Sequence, residues 1–157
     1  MSTFKINSFL FILFLMTSCS KESIETGEVP YAPCPCEEEK ELANLKIPDG
    51  EAFLFKDSIP QQIWVQINTK IYQSNEVVKW IILDSKTNKA VLHVKQTKTS
   101  IRQVCNICNY PDFAKEWYIP TNGHKVYFEG TGYEACNPTG LADAAYFDYI
   151  LTNLKLL

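Results

Sequence analysis

From residue 61 onward, much of the chain reads in steps of two. In QQIWVQI (residues 61–67), Ile63, Val65 and Ile67 face one way while Gln62, Trp64 and Gln66 face the other, which predicts a half-buried strand. EVVKWIILD runs into SKTNK and out again as AVLHVKQ, with Leu92 and Val94 opposing His93 and Lys95. That is a hairpin pattern. Within it Trp80, Ile81 and Ile82 form a continuous apolar run, which predicts burial on both faces. KVYFEGTGYEA sets Val126 and Phe128 against Tyr127 and Glu129, and Gly130 and Gly132 then predict a bulge or sharp bend. YFDYILTNLKLL closes the sequence as a long strand with apolar residues on both faces.

Two segments break this period. EEEKELANLK (residues 37–46) has helix-forming composition with glutamates near its start, and Pro48-Asp49-Gly50 stops it. YPDFAKEW predicts one short helix, with Pro111 in its first turn. Short strands, turn signals and one or two short helices define an all-β class, a small barrel or sandwich. An OB-like barrel, its helix between the third and fourth strands, is one specific form.

The N-terminus is of another kind. MSTFKINSFLFILFLMTSCSKE carries one lysine, Lys5, then an unbroken apolar run from Phe9 to Met16, then Thr17, Ser18 and Cys19. A run that short cannot cross a bilayer as a permanent helix, which needs about 20 residues. A positive start, a short apolar core and small residues before a cut read as an export signal. LMTSC resembles the lipobox of bacterial lipoproteins, with Met16 where leucine is usual. The resemblance implies that residues 1–18 are a signal peptide and that Cys19 is acylated and becomes the first mature residue. It also implies a protein anchored to a lipid bilayer in the cell envelope, on the periplasmic or surface face of what is expected to be the outer membrane. The alternative is an ordinary secretory cleavage nearby. Each buried lipid methylene contributes about 0.8 kcal/mol, so two or three acyl chains hold a domain firmly.

Removing residues 1–18 leaves 139 of 157 residues and takes away one charge, Lys5, so the remainder carries 14 basic and 18 acidic side chains, net −4. That suits a single domain. Mild acidity argues against a nucleic-acid partner. Residues 20–36 are polar, with three prolines and a glycine, and read with Cys19 as a flexible tether ahead of one β-rich domain, residues 37–157. Extended, the tether would reach about 50 Å, and the domain is expected to fold without it. SKE after Cys19 resembles the acidic export signal of Bacteroidota surface lipoproteins. DSI (Asp57 to Ile59) resembles the Bacteroidota O-glycosylation motif, with Ser58 as acceptor. The stretch from Cys108 to Cys136 is similar to small Bacteroidota lipoproteins that have no assigned activity, which bears on source and compartment only.

Six cysteines occur, and with Cys19 acylated five remain. Cys34, Cys36, Cys105 and Cys108 have spacings that four zinc thiolates could use. Pro35 stiffens the first pair, however, and exported thiols are normally oxidised. A redox Cys-x-x-C should open a helix after a strand, and the βαβ context is missing here. The remaining reading is staples. Cys108, before the short helix, pairs with Cys136, after the following strand, closing a loop worth about 3.5 kcal/mol on the chain-entropy model. Cys105 is then expected to pair with Cys34 or Cys36.

No catalytic motif is present, neither G-x-S-x-G nor H-E-x-x-H, and no cofactor or metal is expected. His93 reads as an exposed strand position and His124 as a turn residue after Asn122-Gly123. Trp64, Trp117, Tyr118, Tyr127 and Tyr133 are candidate binding aromatics, against the blander reading that they are core and rim. The expectation is a membrane-anchored binding or structural lipoprotein, its partner a protein or glycan. The alternative is an inhibitor or defence lipoprotein that blocks a basic hydrolase such as lysozyme.

Overall fold

A computed structural model describes residues 26–30, 32, 47–74, 76–96, 101–135 and 143–157. The expected helix at 37–46 and Cys19, Cys34, Cys36 and Cys136 lie outside these residues. Seven strands and two helices follow in the order β1 (Thr26–Glu28), β2 (Gly50–Lys56), α1 (Gln61–Gln73), β3 (Val77–Asp84), β4 (Lys89–Gln96), β5 (Arg102–Ile107), α2 (Asp112–Lys115), β6 (His124–Glu134) and β7 (Ala144–Leu156).

The sheet runs β1-β7-β5-β4-β3-β2-β6, and a further pairing of β6 with β7 closes β2 to β7 into a six-stranded barrel. The class is therefore all-β and the architecture a barrel, which the alternation alone could not separate from a sandwich. Strands β3 to β7 have OB-like connectivity: a three-strand meander, then α2, then a hairpin whose last strand pairs parallel with β5. They depart from a five-stranded barrel because β2 is wedged between β3, to which it is parallel, and β6, to which it is antiparallel. The parallel β2–β3 pair needs a crossover, and α1 supplies it.

That crossover is the first correction. QQIWVQI is helical, the start of α1, because Ile63, Ile67 and Ile71 recur every four residues and turn one stripe onto the sheet. The β3–β4 hairpin forms as expected, from Asp84↔Lys89 to Val77↔Gln96, with Asn88 at φ 55° in its turn. Trp80 and Ile81 are both fully buried, one beneath α1 and the other in the lumen.

The predicted bend is a β-bulge between Glu129 and Gly130, where the register against β7 shifts. A Cβ on Gly130 would run into the Ile150 carbonyl and come within 2.6 Å of the Tyr149 ring. Only glycine lets the two backbones approach so closely.

The second correction concerns the tether. Residues 26–28 form β1, antiparallel to Asn153–Lys155 of β7, and Val29 joins the lumenal core at 7% exposure. Strand β5 occupies the same edge of β7 only as far as Tyr149, so β1 fills the remainder. Asn109 locks this corner. Its amide donates to the Leu151 carbonyl (2.7 Å) and the Pro30 carbonyl (3.1 Å), and its oxygen accepts from the Leu151 N–H (2.8 Å). One buried side chain thus stands in for a missing strand residue.

The lumen holds Leu54, Ile81, Leu83, Leu92, Cys105, Val126, Phe128, Tyr149, Leu151 and Leu154, none above 1% exposure. A second, smaller cluster lies outside the barrel, where Phe55 and Trp80 are covered by Ile67 and Ile71 of α1.

Candidate binding cleft beneath the outer helix

Alternation along β4 sends Leu92 and Val94 inward, so His93 and Lys95 project outward toward α1. His93 lies directly opposite Trp80 across the β3–β4 ladder, and the two rings stack at 5.2 Å and 11°. Trp64 of α1 meets the Trp80 ring edge-on at 5.6 Å. The expectation of an exposed His93 is therefore corrected: it is part-buried because the helix that covers Trp80 shelters it too. Burial, with the positive Arg102 nearby, pushes its imidazole down to about 4. Its Nδ1 is buried and has no hydrogen-bond partner among the described residues.

Arg102, the first residue of β5, stands alongside. Its backbone N–H donates to the Asp143 carbonyl (3.1 Å), and its Nε is likewise buried without a partner. Trp64, Asn68, Ile71 and Tyr72 of α1, with Trp80, Lys95, Arg102 and Asp143 of the sheet, line a cleft of about 160 Å³. Tyr72 stands on its rim, 80% exposed. A cleft lined by indole and phenol rings, with an amide, a carboxylate and two cationic side chains in its wall, can hold a ring-shaped ligand and orient it by hydrogen bonds. A larger hollow, about 410 Å³, opens among Val77, Val94, Gln96, Ile101 and Gln103, but no unmet buried polar atom lines it.

Of the aromatics singled out from sequence, only Trp64 reaches this cleft. Trp117 is buried beside Phe113 in the lumenal cluster, and Tyr118 is exposed after α2. Tyr127 donates its hydroxyl to Glu129 (2.9 Å) under the Lys155 ammonium, and Tyr133 lies near the far end of β6. Ser58 is exposed in the turn between β2 and α1, open to modification. Sequence reasoning missed Asn68, Tyr72, His93 and Arg102. The four-residue spacing of Ile63, Ile67 and Ile71 was the signal that could have revealed the covering helix.

The cysteines divide. Cys105 is a free thiol, fully buried in the lumen, so the expected bond to Cys34 or Cys36 is not made. It points inward among Leu92 and Phe128, where burial, with Asp148 nearby, pushes the thiol up to about 12. Cys108 is disulfide-bonded, its partner lying outside the described residues. Among the described residues no group of three His, Cys, Asp or Glu side chains could hold a metal ion, and no helix is long and apolar enough to cross a membrane.

Comparison with family models, with curated proteins and with solved structures finds no match to this chain.

Proposed function

We propose that this chain is an envelope lipoprotein, held on a membrane through acylated Cys19, whose barrel acts by binding and not by catalysis. The ligand sits in the cleft beneath α1. The observation that carries this reading is the opening itself, where Trp64, Tyr72 and Trp80 wall a cleft that also presents Asn68, Lys95, Arg102 and Asp143. A closed barrel beneath them supplies rigid walls. Binding is favoured over catalysis because none of the described lining residues is a serine, threonine or cysteine nucleophile.

We further propose that Cys108 pairs with Cys136. Support comes from the free, sealed state of Cys105 and from β7, whose residues 147–149 are flanked by the exit of β5 and the end of β6. Mass spectrometry of unreduced, alkylated peptides should recover the 108–136 link.

The binding reading is tested with the full-length lipidated chain on immobilised native envelope material, beside a Trp64→Ala, Tyr72→Ala double variant. Retention should fall at least about tenfold, the worth of two stacking rings. Equal retention by a folded variant would remove the cleft from the function.

A further inference from the structure

We infer that the barrel stands on the bilayer with the end that α2 plugs, Tyr118 and Leu157 touching the lipid headgroup layer. This inference rests on the acylated Cys19 just proposed and adds the protein surface that meets the lipid. The register of the sheet defines that end. Lys56 of β2 lies beside Leu83 of β3, Ala90 of β4 beside Ile107 of β5, and Leu54 beside His124, the first residue of β6. Leu157 reaches the same end, donating its N–H to the Lys125 carbonyl (3.0 Å). Helix α2 closes the lumen there, with Ala114 and the following Trp117 buried in the lumenal cluster.

Strand β1 sets how far this end can stray from the membrane. It runs antiparallel to β7 with Thr26 opposite Lys155, so it begins beside the close of β7 and its N-terminus points toward the plugged end. Seven residue steps join Thr26 to Cys19, a leash of about 24 Å at full extension. The opposite end of the barrel lies beyond it. From Lys155 back to Ala144, where β7 starts, is eleven steps, about 36 Å along the strand and about 28 Å along the barrel axis at the usual strand tilt. Helix α1 is no better placed, because it covers β3, three strands from β7 in either direction round the barrel. Three strand spacings of about 4.8 Å and a helix layer of about 10 Å consume the whole leash.

The surface within reach is of two kinds. Beside β1, the outer face of β6 and β7 is polar: Tyr127 and Asn153 donate to the two oxygens of Glu129, and the Lys155 ammonium sits over the Tyr127 ring. At the plugged end, apolar side chains are left in solvent, Tyr118 at 84% exposure and Leu157 at 51%. A phenol, apolar in its ring and polar at its tip, suits the headgroup level of a bilayer. Among the described residues the other exposed large apolar side chains are Val65 and Tyr72 on α1 and Ile101 at the open end, the two surfaces the leash holds away. Lys56, Lys86 and Lys89 are exposed at the plugged end, and so are Asp57, Asp112 and Glu116, a balance that fits zwitterionic headgroups. Two side chains make a weak contact in free solution, but the leash makes it intramolecular, and a weak contact then suffices. Standing this way, the barrel opens its hollow at Ile101 and Gln103 away from the lipid.

The test places the full-length acylated chain in phosphatidylcholine nanodiscs doped with a gadolinium-chelating lipid and reads the backbone amide signals by NMR. Gadolinium broadens the signals near it, and the effect dies away steeply with distance. The Tyr118, Lys125 and Leu157 signals should be lost, while Ile101 and Glu134 at the open end and Val65 on α1 keep their intensity. A Tyr118→Ser, Leu157→Ser double variant should spread the broadening evenly over the barrel, with its other chemical shifts unchanged. Broadening strongest at Val65 or Ile101, even broadening of the parent, or a folded double variant oriented like the parent would each overturn the inference. The mass of the N-terminal peptide separates it from the anchor on which it rests. An acylated chain that broadens evenly refutes the lipid-facing surface and leaves the anchor standing, and an unmodified Cys19 removes both.

Discussion

Leu92 and His93 are neighbours on β4, yet one looks into the lumen and the other into the layer beneath α1. Leu92 has no exposure and only apolar company, while His93 is stacked on Trp80 along an opening to solvent. Both regions contain polar groups without partners. In the lumen these are the Tyr149 and Tyr110 hydroxyls, both deeply buried, and burial pushes both phenols up. Cys105 is held there as a protonated thiol. In the outer layer they are His93 Nδ1 and Arg102 Nε, also shut off from solvent, although a cleft opens beside Arg102.

The largest test of that division strikes the lumen. Phe128→Ala removes a ring with no exposure that packs edge-on against Tyr149 at 5.9 Å, and should cost about 3–5 kcal/mol in urea unfolding. Because β3 and β4 wall both regions, the Trp64 and Trp80 signals should be lost in the same transition as Trp117. An outer layer that outlives the lumen would mean the two are separate folding units.

Next in size is Asn109→Ala. It strands the N–H and carbonyl of Leu151 in the interior and should cost about 3 kcal/mol by the same measurement. Removing residues 20–30 should cost less, about 2 kcal/mol, the worth of burying Val29 with a short strand. An unchanged midpoint would restore the domain's independence from its tether.

One effect is confined to the outer layer and shows itself only as the pH falls. The His93 pKa is depressed from 6.5 to about 4, so the unfolded chain binds more protons between those values. The stability His93 contributes is fully present above about pH 6.5 and is lost as pH falls toward 4. Asp57 and Asp84, both held below their usual 3.8 by hydrogen bonds, act only at lower pH. Urea midpoints of His93→Gln should therefore be flatter than the parent's across this window, and equal slopes would refute the assignment. Cys105, at about 12, stays silent throughout.

Much of the barrel was legible from period alone. Strand β4 and the bulged β6 carry alternation strong enough to fix which residues face inward, while β3 and the long β7 were legible as strands apolar on both faces. Residues 61–67 failed because Ile63, Val65 and Ile67 satisfy a strand template as well as Ile63, Ile67 and Ile71 satisfy a helical one, and β-branched residues tilt the choice toward a strand. The β1 segment was illegible for another reason. Its composition is that of a linker, and its partner is an edge of β7 left vacant by tertiary geometry. The cleft was hidden by the first error, because its α1 wall, Trp64 to Tyr72, belongs to a helix whose start was expected to be a strand.

Strand β7 pairs with β1, β5 and β6, and it is synthesised after all three. Until residues 144–156 are delivered, each of those strands presents an open edge to which other chains can pair. The barrel cannot close before β7 follows the strands it pairs with, and the interval before it does is when this protein is most exposed to misassembly.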